Sequence, residues 1–268
     1  MTGRAGALAI SAVALGAAFL TALCPAGAAR AADEEIQVYI DDMSAKGAYG
    51  LDVHVNDVLQ GRGANVDYAG EQASQGRLRI TPEWAYGLTS NIELGAYLPL
   101  LTFDDHGHGE IAGVKGRIKF IAPHAADDPF FWGLNFELGK VRRDVDINPW
   151  NAELKGIAGY RTGPWTIAEN LNVDWAVSGP AKGPVTYQLA TMVTRKIGGG
   201  GFDVGFESYN GLGDVSHFGR LGRNDQELFA IVDKSFGKWD VNFGVGTGYG
   251  RPEDRLILKA IIGVPIGG

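Results

Sequence analysis

The run Asn91-Ile92-Glu93-Leu94-Gly95-Ala96-Tyr97-Leu98-Pro99-Leu100 follows directly on the turn residues Gly87-Leu88-Thr89-Ser90. Ile92, Leu94, Ala96, Leu98 and Leu100 share one side, and Asn91, Glu93, Gly95 and Tyr97 the other. A two-residue beat is the period of an extended strand whose two faces meet different surroundings. It recurs along nearly the whole chain, one face apolar and the other polar, as a closed barrel in lipid requires: hydrocarbon outside, water inside.

The segment Val114–Phe120 sets which face is which. Val114, Gly116, Ile118 and Phe120 oppose Lys115, Arg117 and Lys119. Three cations on one strand face cost roughly 2–4 kcal/mol each near a bilayer midplane, so they must look toward water or acids. The aliphatic face is then the outer one.

The same alternation reads outward in both directions. Before it come Tyr49, Leu51, Val53 and Val55 opposite Asp52, His54 and Asn56, then Leu78, Ile80, Pro82, Trp84 and Tyr86 opposite Arg79, Thr81 and Glu83. After it, Trp132, Leu134, Phe136 and Leu138 oppose Asn135 and Glu137, and Ala152, Leu154, Gly156, Ala158 and Tyr160 oppose Glu153, Lys155 and Arg161. Trp165, Ile167, Leu171, Val173, Trp175 and Val177 oppose Asn170, Asn172 and Asp174. Val185, Tyr187, Leu189 and Val193 oppose Thr186 and Gln188, and Phe202, Val204 and Phe206 oppose Asp203 and Glu207. Leu228 to Phe236 is apolar on both faces. Val241, Phe243 and Val245, then Leu256, Leu258, Ala260, Ile262 and Val264, complete the set.

These make about twelve strands of about ten residues, the length a tilted strand needs to cross a bilayer. Short connections at 87–90, 161–164, 198–200 and 236–238 alternate with longer polar ones at 60–75, 102–110, 142–149, 178–184 and 210–224. Short periplasmic turns and longer outer loops are the outer-membrane pattern. Trp84, Trp132, Trp150, Tyr160, Trp165, Tyr187 and Trp239 fall near strand ends, where amphipathic rings favour the lipid–water boundary. The expected fold is an all-β, closed antiparallel transmembrane barrel over residues 47–268.

Residues 1–31 read as a cleaved export signal. Arg4 supplies the positive start, an Ala- and Leu-rich apolar run extends to about Leu23, and Ala29-Arg30-Ala31 offers a cleavage site. The single cysteine of the sequence, Cys24, leaves with it, which excludes disulfides and thiolate chemistry from the mature chain. Loss of Arg4 and Arg30 takes the net charge from −7 to −9, the wrong sign for a nucleic-acid partner. The mature chain holds no apolar run long enough for a membrane-spanning helix. Residues 32–46, with Ile36, Val38 and Ile40 alternating, are either a periplasmic lead-in or a short extra strand.

Some residues break the pattern. Pro82 lacks a ladder N–H and suggests a bulge. Glu169 falls on an apolar face, through either a register shift or a headgroup-level position, and Arg195 and Lys234 do so near short turns, where long stems can snorkel. Asp104-Asp105-His106-Gly107-His108-Gly109-Glu110 carries imidazoles and carboxylates, but its glycines give no preorganised metal geometry, so a solvated loop is expected. Adjacent Ser216 and His217 are wrongly placed for a base and its nucleophile, which argues against a lipid hydrolase. No catalytic residue, metal or cofactor is expected.

The cassette Arg79-Ile80-Thr81-Pro82-Glu83-Trp84-Ala85-Tyr86-Gly87-Leu88-Thr89-Ser90-Asn91-Ile92-Glu93-Leu94-Gly95, the segment Gly113–Phe120, and the tail segments Asn242–Gly246 and Leu258–Pro265 resemble the outer-membrane proteins grouped with the meta-pathway of phenol degradation. These are structural hairpins; none is catalytic. The resemblance implies an outer-membrane channel, for small hydrophobic or aromatic solutes, assembled by the barrel-assembly machinery among outer-membrane lipid. Barrels of this class finish on an aromatic residue read by that machinery. This chain finishes Pro265-Ile266-Gly267-Gly268, so either Ile266 serves or assembly is less efficient.

The lumen-lining set is expected to be Asp52, His54, Arg79, Glu83, Glu93, Lys115, Arg117, Lys119, Glu137, Glu153, Lys155, Asp174, Asp203, Glu207 and Lys259, with Lys115, Arg117 and Lys119 pairing in part with Glu93 and Glu137. Two interiors fit it: a polar conduit, or a plug of paired charges. Twelve strands lie between the filled eight-stranded and the open sixteen-stranded cases. A third reading, adhesion through the long loops, needs no open lumen.

Overall fold

The computed structural model describes residues 35–65, 67–198, 202–219, 224–249 and 254–266. The expected export segment, its cleavage site and Cys24 lie outside the described residues. So do Gly199, Gly200, residues 220–223 of one long loop, and the last two glycines.

Twelve strands close on themselves. They are β1 (Tyr49–Gln60), β2 (Arg77–Gly87), β3 (Ile92–Phe103), β4 (Gly109–Ile121), β5 (Phe130–Val141) and β6 (Trp150–Thr162). The second half is β7 (Trp165–Ser178), β8 (Thr186–Lys196), β9 (Phe202–Asp214), β10 (Gln226–Phe236), β11 (Trp239–Gly248) and β12 (Leu256–Gly263). Each strand pairs antiparallel with its sequence neighbours, and β1 pairs with β12 through Asp52↔Gly263 to Val58↔Ile257. Closure leaves no sheet edge. The tight hairpins use glycine where the chain needs a left-handed residue: Gly163 (φ 56°) and Gly237 (φ 67°) occupy the first of two loop positions, the type II′ arrangement.

Strand β5 shows the wall in section. Phe130, Trp132, Leu134, Phe136, Leu138 and Lys140 are exposed, while Phe131, Gly133, Asn135, Glu137, Gly139 and Val141 are buried. Large apolar side chains outside and amide and carboxylate groups inside is the reverse of a water-soluble sheet. Leu94, Leu98, Val114, Ile118, Phe206, Leu228, Phe243 and Val245 extend this apolar surface around the barrel. It ends in aromatics: Trp165, Phe236 and Trp239 toward the short turns, Trp150 toward the long loops. The Arg195 guanidinium lies 5.5 Å from the Trp165 ring, and the Lys234 ammonium 5.9 Å from Phe236, so both outward cations reach the short-turn rim.

The irregular residues resolve individually. At Pro82 the β2–β3 pairing shifts register between Ile80 and Glu83, while Val53↔Pro82 keeps register with β1. The missing N–H therefore falls on the β3 side. On β10 the two apolar faces have two destinations. Leu228, Ala230 and Val232 look outward, and Phe229 and Ile231 are buried inside the barrel with Tyr209 and Ile257. Around Glu169 the pairings Ala158↔Glu169 and Glu169↔Thr191 are unbroken, so no register shift turns it inward.

Candidate functional site

The lumen is occupied by the chain itself. Residues 35–46, hereafter the strap, run inside the barrel before β1 begins. The strap is anchored at the short-turn end, where Lys46 bridges Gly87 and the Gly47 N–H donates to the Gly87 carbonyl at 2.7 Å. Ser44, Asp42 and Asp41 meet residues at this same end of the barrel, and the strap goes deeper only from Tyr39 back to Glu35. The Ser44 N–H donates to Glu93, near the start of β3. Lys119, near the end of β4, donates to Asp42 at the carboxylate (2.8 Å) and the carbonyl (2.6 Å). Asp41 accepts two hydrogen bonds from Arg161, and His124 lies 3.3 Å away.

Tyr39 is the pivot. Its N–H donates to Asn170 Oδ1 at 2.6 Å, and Asn170 Nδ2 donates back to its carbonyl at 2.9 Å. This reciprocal pair mimics a sheet ladder with a side chain. The Tyr39 hydroxyl bonds that of Tyr97, and its ring has the ammonium groups of Lys119 and Lys155 at 5.0 Å and the Arg117 guanidinium at 5.9 Å. Cations at such distances are attracted to the ring face. Ile36 and Val38 join a buried apolar cluster with Ile121, Phe131, Ile157, Met192, Phe229 and Ile231. At the strap's inner end, Lys259 donates to the Ile36 carbonyl at 3.0 Å, and Glu35 lies 3.7 Å from Lys155.

The lumen-facing charges collect into separate groups. Arg117 spans two carboxylates, its Nε donating to Glu83 and its Nη2 to Glu93 at 2.7 Å; His54 Nε2 meets the other Glu83 oxygen at 2.8 Å. This bridge is possible because Gly95 sits directly opposite: a Cβ there would stand 2.6 Å from Arg117 Cγ. Glu137 accepts from Lys155 at 3.0 Å and from Asn135 at 2.7 Å and lies 3.6 Å from Lys115, while Glu153 pairs with Lys155. On the far wall Glu207 pairs with Lys259 and accepts from the Tyr209 hydroxyl at 2.6 Å. Asp174, opposite Glu153 and hydrogen-bonded to it, extends the second group, while Asp52, Arg79 and Asp203 are partly buried on the same inner faces. Lys119 is thus spent on the strap rather than on a neighbouring strand.

Not every polar atom is matched. His54 Nδ1, Thr81 Oγ1, Arg117 Nη1 and Gln37 Oε1 are buried without a protein partner. Buried polar groups of this kind are ordinarily satisfied by water. Toward the long-loop end, Lys115, Glu137, Asn151, Glu153 and Asp174 line a small cavity.

Sequence reasoning left the strap's place open between a periplasmic lead-in and a short extra strand. The signal was there: an alternating Ile36-Gln37-Val38-Tyr39-Ile40 with no hairpin partner, followed by paired aspartates, in a chain whose inward faces carry lysines and arginines.

The two other polar clusters singled out in the sequence lie outside the lumen. In the loop after β3, Asp104 Oδ1 accepts from the backbone N–H groups of His106 (2.9 Å) and His108 (2.8 Å), and Oδ2 lies 3.0 Å from His108 Nδ1. The backbone bond from His108 is the chief reason its carboxyl is held down at about 2. Oxygens of Asp104 and Asp105 and a His106 ring nitrogen lie within 4.8 Å of one another, all in solvent. With Asp104 already spent on its own turn, titration of the folded protein with zinc is expected to give no binding heat; a saturable heat lost in Asp104→Asn would reverse that. Ser216 and His217 lie in an exposed turn, with His217 Nδ1 3.2 Å from Asp214.

No protein-family model matches the chain, and no curated protein matches it. Among solved structures it is similar to an outer-membrane channel from Pseudomonas putida F1, with TM-score 0.55 and 14% identity over 86% of this chain and 100% of that one. It is similar to KdgM porin (TM-score 0.53, 10% identity, 81% and 99% covered) and to NanC porin (TM-score 0.51, 10% identity, 81% and 100% covered). At these identities the likeness shows a shared barrel fold.

Proposed function

We propose that this chain is an outer-membrane channel for small solutes, narrowed from the periplasmic side by its own strap. The observation that carries the reading is the inverted wall. An apolar exterior bounded by aromatics needs a bilayer, and a lumen of ionised, partly water-satisfied side chains is costly unless it serves passage. The short turns, and with them the strap's anchor at Gly87, then face the periplasm. The likeness to porins and to the Pseudomonas channel supports conduction; hydrophobic or aromatic cargo is suggested by the resemblance of the hairpin motifs to the meta-pathway group alone. Export, outer-membrane lipid and the barrel-assembly machinery as partners follow from the same reading.

Single-channel recording on refolded protein tests it. A small, steady, ion-selective conductance is expected; its complete absence, with or without the strap, would leave a structural or adhesion barrel. Selectivity has its own probe. Arg117 is too deeply committed to two carboxylates for a clean charge reversal, whereas Lys119 holds only the strap and faces its ring. Lys119→Glu is expected to move the reversal potential in a salt gradient toward cation selectivity. An unmoved potential removes Lys119 from the ion path.

A further inference from the structure

At mid-height the outer wall is apolar nearly all the way round, with one break. Glu169 of β7, Thr191 of β8 and Ser208 of β9 stand directly opposite one another in register, Glu169↔Thr191 and Thr191↔Ser208. Their same-face neighbours are Ile167, Leu171, Leu189, Val193 and Phe206, with the polar Asn210 beside Ser208 on its long-loop side. Ser208 is the middle residue of its strand. The row is internally bonded: Thr191 Oγ1 donates to Glu169 Oε2 at 2.7 Å, and Asn210 Nδ2 to Ser208 Oγ at 2.6 Å. On the other side of Glu169, β6 offers the small residues Gly156 and Ala158, a low stretch of wall flanked by Tyr160 and Leu154.

Acyl chains give such a row nothing to bond, and an ionisable group held at that depth is costly without a partner. Glu169 stands inside the rim marked by Trp165, with Ile167 between them on the outer face. A partner of the same depth and the same hydrogen-bonding character is needed. A second copy of this chain supplies both. Two copies inserted in one bilayer with the same orientation are related by an axis along the membrane normal, which preserves height and brings row to row. A carboxylic acid and two hydroxyls each donate and accept, so the row is complementary to itself, and the low flank at Gly156 and Ala158 lets two walls approach closely.

We propose that the face formed by β6, β7 and β8 is a homodimer contact inside the membrane, centred on Glu169, Thr191 and Ser208. The inference rests on the membrane reading but not on conduction, and the two fail separately: a monomeric barrel that conducts sinks only this one.

The chain carries no cysteine beyond residue 24, so introduced thiols are clean reporters. Ala158→Cys, next to the expected axis, should form a disulfide-linked dimer on oxidation in native membranes. Ala260→Cys, outward on β12 across the barrel, should not. Adding Glu169→Leu to Ala158→Cys is expected to lower the linked fraction about tenfold, the order of an intramembrane hydrogen-bond contact. Glu169→Gln, which still donates and accepts, should retain most of it. The mass of the unmodified protein in mild detergent, by native mass spectrometry, guards against folding failure in the variants; a dimer is expected. Monomer alone, equal linking at Ala158 and Ala260, indifference to Glu169→Leu, or linking of Ala158→Cys to a different protein would each overturn the proposal.

Discussion

Deletion of residues 35–46 is expected to raise single-channel conductance about threefold or more, with the barrel intact. Twelve strands about 4.8 Å apart and tilted about 40° enclose a backbone circle about 24 Å across. Side chains of about 5 Å on each wall leave roughly 14 Å, and an extended segment with its own side chains fills about 10 Å of that. What remains beside the strap is a crescent too narrow for hydrated ions to pass freely. Removing the strap restores a pore. Intact folding is read from heat-modified migration on gels and from β-type circular dichroism. Tyr39→Ala is the milder form: it removes the ring from the Lys119, Lys155 and Arg117 cluster and the bond to Tyr97 while leaving the Asp41 and Asp42 anchors. Brief openings above a low baseline are expected for it. Equal conductance for full-length and deleted proteins would mean that ions never use this lumen.

The strap's grip makes this an ordering problem rather than a rigid seal. Asp41 meets Arg161, which is over a third exposed, and Asp42 is itself largely exposed, so both ion pairs are screened and individually weak. The deeper contacts are stronger: the two-way amide pairing of Tyr39 with Asn170, and Ile36 and Val38 in an apolar cluster. A segment tied firmly at its far end and loosely at its entrance unzips from the short-turn side first. That suits access from the periplasm under the orientation proposed above.

Much of the wall was legible from residue order because a membrane barrel has a simple rule. Period two sorts each strand into lipid and lumen faces, so Val114–Phe120 alone orients the sheet, and the even strand number with alternating connection lengths follows. Three things were not legible. Lumen contents depend on contacts between residues far apart in sequence, such as Tyr39 with Asn170, which no local period encodes. The two-faced apolar β10 is ambiguous by pattern; Phe229 and Ile231 are inward because the lumen holds an apolar layer around the strap, which a purely polar-inside rule misses. Glu169 could be read as a register fault or as an outward residue at headgroup level, and only the unbroken pairings on both its sides show it facing out.

Arg117→Leu is expected to destabilise the barrel by about 3–5 kcal/mol, the largest effect of any single substitution on the inner wall. Arg117 and both its carboxylates are 7% exposed or less. With the guanidinium gone, Glu83 and Glu93, four positions apart along the β2–β3 register, both lose their bridging cation in a medium where unpaired charge is costly, and Glu83 keeps His54. Arg117→Lys should lose less, about 1–2 kcal/mol, because one ammonium cannot span two carboxylates in the planar fork that Gly95 accommodates. The cycle is completed by Glu83→Gln with Glu93→Gln. If the damage is uncompensated charge, these amides recover a large part of the stability lost in Arg117→Leu while themselves being costly beside the native arginine. Urea unfolding in lipid vesicles, followed by tryptophan fluorescence, measures all of it. A loss below about 1 kcal/mol for Arg117→Leu, in the range of an exposed pair, would show that water already screens this bridge. The pairing would then be a lining of the conduit rather than a brace across it, and its removal should appear in ion selectivity instead.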